Sequence, residues 1–191
     1  MASTKKTVTA TISMQWLLYD IMNETYLRGR TIQNDDNHKE VASMFASEDD
    51  ENRDKILRSI KKGFAEVMTA LAEYVNVSDT TLGAKQHTYE DEDAADTGTT
   101  AATSDTSADD TPIDSTTDLT LTLSMPSNFN EAATAGLGEA VHDYLKNITV
   151  AEWYMVTNKA DVEQYAALAQ RSMASILSSV SKRSRPSRPT E

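Results

Sequence analysis

The stretch DLTLTLSMPSNFN, residues 118–130, changes period partway along, and that change indicates the fold class. Leu119, Leu121, Leu123 and Met125 alternate with Thr120, Thr122 and Ser124, the period-two pattern of a half-buried strand. Pro126 has no N–H to offer a ladder and ends the strand, and Ser127 or Asn128 is placed to cap a following helix. Beyond it the period becomes 3.6. Phe129, Ala132, Ala133, Leu137, Ala140, Val141, Tyr144, Leu145 and Ile148 form one apolar stripe. Gly136 and Gly138 within this run point to close helix–helix contact, and Thr149 to a break and restart before VAEWYMV. Asp161 then caps a regular helix whose stripe is Val162, Tyr165, Ala166, Ala169, Met173, Ile176, Leu177 and Val180.

The N-terminal side repeats the strand-then-helix pattern. In TVTATIS, Thr7–Ser13, the residues Val8, Ala10 and Ile12 alternate with threonines, a second half-buried strand. Met14, Leu17, Leu18, Ile21, Met22 and Thr25 follow at helical spacing, with Tyr26 beside the stripe and Gly29 as the expected C′ residue. A short helix is expected around Lys39–Phe45. Ser47 with Asp50 resembles a capping box ahead of a helix whose stripe is Ile56, Leu57, Ile60, Phe64, Val67, Met68, Leu71 and Tyr74. Gly63 weakens that helix by about 1 kcal/mol relative to Ala and so marks close packing or a bend. The fold class expected is mainly α: a four-helix-type bundle with a small antiparallel β element made by the two alternating strands.

Between the halves lies an acidic insert, residues 77–118, rich in Thr, Asp, Ala and Ser. Glu90, Asp91, Glu92, Asp93, Asp96, Asp105, Asp109, Asp110, Asp114 and Asp118 carry ten of the chain's twelve net negative charges, so the remainder sits near −2. With almost no large apolar residue from Glu90 to Pro112, the insert cannot bury enough surface to offset its ordering entropy and is expected to be loosely ordered. Residues 1–76 and 119–181 then form one domain, and residues 182–191 a basic C-terminal arm. A near-neutral body argues against general nucleic-acid binding through it. The chain has no cysteine, which excludes disulfides, thiolate metal sites and cysteine nucleophiles. No apolar run is long enough for a signal peptide or a membrane span, and synthesis in the cytoplasm is expected.

No reaction is written in the sequence. It has no Walker-type glycine loop, and AGLGEA lacks the dinucleotide spacing. His38, His87 and His142 are scattered. His142-Asp143 has the composition of an acid–base pair, but a packed or exposed helix histidine is the plainer reading. EDED, Glu90–Asp93, could attract a hard cation, yet without spaced ligands or a turn glycine it reads as a solvated loop. Trp16, Trp153 and Tyr154 read first as core and second as interface anchors. Lys182, Arg183, Arg185 and Arg188, with Pro186 and Pro189, form an extended basic tail. It suits phosphate contact or a neighbouring subunit's acids, or is a free terminus. No catalytic, cofactor-binding or metal residue is assigned.

TLTLSMPSN leading into a helix, a variable loop and a closing amphipathic helix with a basic tail resemble small head–tail adaptor (connector) proteins of tailed bacteriophages and prophages. SMPSNFNEAATAGLGEAVHDYL and KRSRPSRP are similar to phage-type proteins of Bacteroidota viruses. The resemblance spans Ile12–Tyr74 and Leu119–Pro189. It implies a non-enzymatic virion protein forming a homo-oligomeric ring, commonly of about twelve subunits. Such a ring sits between the portal and the tail or a second adaptor protein and lines the channel for viral DNA, with no membrane partner. Ring closure needs a heterologous interface. Lys182, Arg183, Arg185, Arg188 and the strand residues Leu119, Leu121 and Leu123 are the residues expected at subunit seams, the strand pairing across subunits. An acidic insert facing the channel would repel phosphate, over about 8 Å at physiological salt. Facing outward, it would dock a basic partner. Two readings compete: another virion component, such as a tail-completion or minor capsid protein, and a bacterial helical regulator using the basic arm.

Overall fold

The computed structural model describes residues 5–33, 41–42, 44–46, 50–80 and 117–184. In chain order these form β1 (Lys6–Ile12), α1 (Met14–Ile32), α2 (Asp50–Ala70), β2 (Leu119–Met125), α3 (Ala133–Thr157) and α4 (Val162–Val180). The protein is mainly helical with a small two-stranded antiparallel sheet. The two strands lie far apart in sequence and pair from Lys6↔Met125 to Ile12↔Leu119.

The alternation read in the sequence becomes a core face. Val8, Ala10 and Ile12 of β1, and Leu119, Leu121, Leu123 and Met125 of β2, are all buried. On the second edge of β2 the chain after α2 docks. Val75 bridges Leu123, the Asn76 N–H donates to the Thr122 carbonyl at 2.8 Å, and the Ser124 N–H donates to the Tyr74 carbonyl at 2.6 Å. One 3-10 turn, Val77–Asp79, follows. Thr80 then receives the Thr122 N–H on its Oγ1 at 3.1 Å, and the Thr122 hydroxyl donates to the Asp79 carbonyl at 2.9 Å. β2 is thus an inner strand, and Val77–Thr80, read as the start of the insert, is a docked turn.

α3 is the centre of the molecule, packing against α1, α2, α4 and β1. Its second half, Tyr144 to Tyr154, is buried on several sides, as befits a helix apolar on more than one face. The turn between α3 and α4 folds the two helices back on each other, with the Asp161 N–H bonded to the Asn158 carbonyl at 3.3 Å. Two polar seams tie α2 to α3: the Ser59 hydroxyl donates to Glu152 at 2.6 Å, with Lys62 on the same carboxylate, and the Tyr144 hydroxyl donates to Glu66 at 2.5 Å. Glu152 holds the Lys62 ammonium above its ordinary pKa. Burial, reinforced by Glu66, pushes the Tyr144 phenol well above its ordinary range.

Several sequence expectations are corrected. Gly29 does not end α1; the helix runs to Ile32, and Gly29 is buried against the Phe45 ring where a side chain would collide. α3 begins at Ala133, not at Ser127 or Asn128, because residues 126–132 turn first and Asn130 Oδ1 accepts the Ala132 N–H at 3.1 Å. Thr149 does not break α3, which continues to Thr157 with Thr149 buried inside it. α2 ends at Ala70, so Tyr74 lies in the turn that leads to β2. Gly63 does mark close packing, against Leu145 and Ile148 of α3. By contrast, a side chain at Gly136 would have open space, and Gly138 faces Ala10 of the sheet rather than a helix. In the Lys39–Phe45 region, Val41–Ala42 are helical and Met44–Phe45 turn away; Lys39 and Ser47 lie outside the described residues.

Candidate functional site

Among the described residues the sheet has one open edge. Thr122 and Ser124 direct their backbone groups to the 74–80 segment, so Leu119, Leu121, Leu123 and Met125 direct theirs to β1. In an antiparallel pair their partners Ile12, Ala10, Val8 and Lys6 answer them, and the N–H and C=O groups of Thr7, Thr9 and Thr11 point the other way. Among the described residues nothing pairs with that side of β1.

A groove of about 520 Å³ runs beside this edge. Its walls include Thr9 and Thr11 of β1, Trp16 and Asp20 of α1, and Glu139 and His142 of α3. A Cβ at Gly138 would stand 4.0 Å from Ala10 Cβ, an ordinary contact, so the approach of α3 to β1 here does not require a glycine. At one end, His142 Nε2 lies 3.5 Å from Asp20 Oδ2. Outside the groove's lining, beyond its Thr9 and Thr134 end, Lys6 Nζ donates to Glu131 at 2.9 Å, and that hydrogen bond holds the exposed Glu131 carboxyl below its ordinary pKa.

The groove opens onto the outward face of α1. Trp16 is 66% exposed and Tyr19 57%, their rings edge to face at 6.1 Å. Tyr26 and Leu27 are exposed further along the same face. At 100° per residue these four fall within one side of the helix, opposite Met14, Leu17, Ile21 and Thr25, which are buried. α1 therefore buries one apolar side in the protomer and on the other exposes aromatic side chains and Leu27 interspersed with Asn23 and Arg30. Exposed Trp and Tyr on one surface are the composition of a recognition patch.

The inner end of α1 is fixed by a polar cluster. Arg28 forks onto Asp161, Nε to Oδ2 at 2.8 Å and Nη2 to Oδ1 at 2.6 Å, and Asn158 donates to Asp161 at 2.6 Å. Tyr165 donates its hydroxyl to Glu24 at 2.7 Å. The hydrogen bonds from Arg28 hold the Asp161 carboxyl below its ordinary pKa against the opposing effect of burial, and the same bonds raise Arg28. Asp161 does precede α4 as the sequence implies, but its carboxylate serves Arg28 rather than the helix N–H groups. Tyr154 and Tyr165 pack edge to face, burial raising both phenols, and the Tyr154 hydroxyl is buried with no hydrogen-bond partner among the described residues. This cluster joins α1 to the α3–α4 turn and faces the core, so its chemistry is structural.

The residues expected at subunit seams divide. Leu119, Leu121 and Leu123 are 0% exposed within one protomer, so the interface role expected for their side chains is corrected to a core role. Their backbone is equally committed, between β1 and the 74–80 segment. The strand left open is β1, whose outward residues are threonines. Lys182 and Arg183 begin no free arm. The Asn130 N–H donates to the Lys182 carbonyl at 3.3 Å, Arg183 bridges Phe129, and the Ser184 N–H donates to the Asn128 carbonyl at 2.8 Å. Arg185 and Arg188 lie outside the described residues, as do the acids from Glu90 to Asp114. Asp118, the last of the ten, acts locally. Its Oδ1 accepts the N–H of Met14 at 3.2 Å, capping α1 from another segment.

His142 meets Asp20 rather than Asp143, which pairs with Lys146 at 3.4 Å. Trp153 and Tyr154 are core residues, whereas Trp16 is not. Trp16, read first as a core residue, is corrected to the surface, and Tyr19 was not singled out; their helical phase opposite the buried stripe is the signal that shows them, whereas the open edge of β1 had no sequence signal. Among the described residues no three acidic or histidine side chains converge as a metal site, and no helix is long and apolar enough to cross a membrane. No protein-family model, curated protein or solved structure matches the chain.

Proposed function

We propose that this protein is a non-enzymatic assembly subunit that associates with copies of itself, in the manner of a head–tail adaptor ring in a phage virion. The observation that carries the self-association is the outward face of α1, Trp16–Tyr19 and beyond, continuous with the unpaired edge of β1. Aromatic side chains and a free strand edge are the surfaces on which chains add to one another. The adaptor part of the reading rests on the sequence resemblance. In that setting the ring bridges portal and tail, and the acidic residues Glu90–Asp114 either face the DNA channel or dock a basic partner.

The test is the mass and shape of the purified protein, alone and with the matching portal, by native mass spectrometry and negative-stain microscopy. A ring, or a monomer that becomes a ring on the portal, is expected. A monomer indifferent to the portal overturns the adaptor reading, and salt-dependent DNA binding by that monomer would favour the regulator.

A further inference from the structure

We propose that the groove between β1, α1 and α3 is the receptor for the basic C-terminal arm of a second copy of this chain. The proposal rests on the self-association reading and adds the segment that is exchanged.

The groove combines a backbone edge at Thr9 and Thr11 that is unpaired among the described residues, an exposed indole at Trp16, and the carboxylates of Asp20 and Glu139. Such a surface suits an extended segment that is cationic and carries apolar rings. Residues 185–191, RPSRPTE, have that chemistry. Pro186 and Pro189 stand three residues apart, as do Arg185 and Arg188, which is the repeat that polyproline II recognition uses. Proline rings on an aromatic wall, with flanking arginines on carboxylates, are a recurring mode of peptide recognition.

Geometry decides which copy supplies the arm. A chain's own arm leaves the body at Ser184, tied to Asn128 and Phe129, beside the Lys6–Glu131 pair beyond the Thr9 and Thr134 end of the groove. The receptor features lie at the other end, where His142 meets Asp20. β1 rises about 3.3 Å per residue from Lys6 to Ser13, and α3 about 1.5 Å per residue from Glu131 to His142, so the ends are roughly 15–25 Å apart. A fully extended chain spans at most about 3.6 Å per residue, so whatever its course Arg185–Pro186 lies no more than roughly 7 Å from Ser184 and Arg188–Pro189 no more than roughly 18 Å. A chain's own arm therefore does not bring both Arg-Pro pairs to Trp16 and Asp20. An arm from a neighbour has no such restriction. Giving an arm to one neighbour and receiving one from another is a heterologous contact, the kind that closes rings.

The chain contains no cysteine, so single cysteines report the pairing cleanly. Full-length Thr11→Cys and full-length Ser187→Cys proteins are mixed and oxidised, and separately both substitutions are placed in one chain. A disulfide between the two kinds of chain is expected, reduced at least tenfold by adding Trp16→Ala or by Arg185→Ala with Arg188→Ala. An intramolecular disulfide in the doubly substituted chain, with none between mixed chains, overturns the exchange. Independently, Trp16 emission in the full-length protein lacking only Arg185–Glu191 is titrated with the peptide SKRSRPSRPTE; Trp153 is buried and supplies a constant background. Saturable change is expected with that peptide and not with one whose prolines are alanine. If the arm-deleted protein assembles to the same particle mass and no cross-link forms, the arm–groove contact fails while self-association stands. If the full-length protein forms neither particle nor cross-link, both fail.

Discussion

Two glycines show how little a residue name says without its surroundings. At Gly29 a Cβ would run into the Phe45 ring, whereas at Gly136, also within a helix, it would meet nothing within 4 Å. Gly29→Ala is expected to destabilise by about 1–3 kcal/mol through overpacking. Gly136→Ala is expected to stabilise by up to about 1 kcal/mol through helix propensity. Urea unfolding midpoints of the two variants should move in opposite directions. The ion pair of Arg28 with Asp161 supplies a pH dependence of known sign. The carboxyl has a lower pKa folded than unfolded, so its stabilisation is fully present above the unfolded value of about 3.9 and is lost as pH falls through the folded one. Asp161→Asn should remove that part of the acid sensitivity below about pH 4, read from denaturant midpoints. Arg28→Ala should cost about 2 kcal/mol at neutral pH, less than a fully buried pair because the arginine side chain is 38% exposed. None of this was legible in the sequence: Arg28 and Asp161 are 133 positions apart, and Asp161 alone reads as a helix cap.

The elements themselves were largely readable. Period-two runs became β1 and β2, and 3.6-period stripes became the four described helices, because each has one face whose burial is worth about 1.5–3 kcal/mol per large side chain. The ends were harder to read, since helix termini depend on partners from elsewhere. α1 begins under Asp118, a residue that composition assigns to an acidic run and hydrogen bonding assigns to a cap. Asp118→Ala is expected to lower stability by about 1 kcal/mol, and Asp118→Asn by less, since the amide oxygen still accepts from Met14. Thermal melts followed by circular dichroism at neutral pH would rank the two. The role of β2 was also hidden. Alternation shows that a strand has an inner face but not whether both of its edges are taken, and here Val75, Asn76 and Thr80 take the second.

For the whole molecule, the described residues on either side of 81–116 end close together. Thr80 hydrogen-bonds Thr122, and Asp118 stands four residues before it. Replacing 81–116 by a Gly/Ser linker of about six residues is therefore expected to leave the fold intact. Loop closure should stabilise it by about 1.5 kcal/mol for the roughly sixfold shortening, seen as a higher urea midpoint with the far-UV spectrum of the body unchanged. If the same shortening in a phage left DNA ejection unaltered, a channel-facing role for the acids would fail. The pairing of β1 with β2 also sets a timetable for biosynthesis. Ile12 leaves the ribosome long before Leu119, its partner in the sheet. At about 5–20 residues per second the first strand waits roughly 5–20 s for the second. During that interval the apolar face of β1 has no native cover from β2, so nascent chains stalled before Leu119 should be protease-sensitive at β1 and become protected once translation passes Met125. The N-terminal half is thus expected to stay open to holding factors on the ribosome for as long as elongation from Ile12 to Leu119 takes.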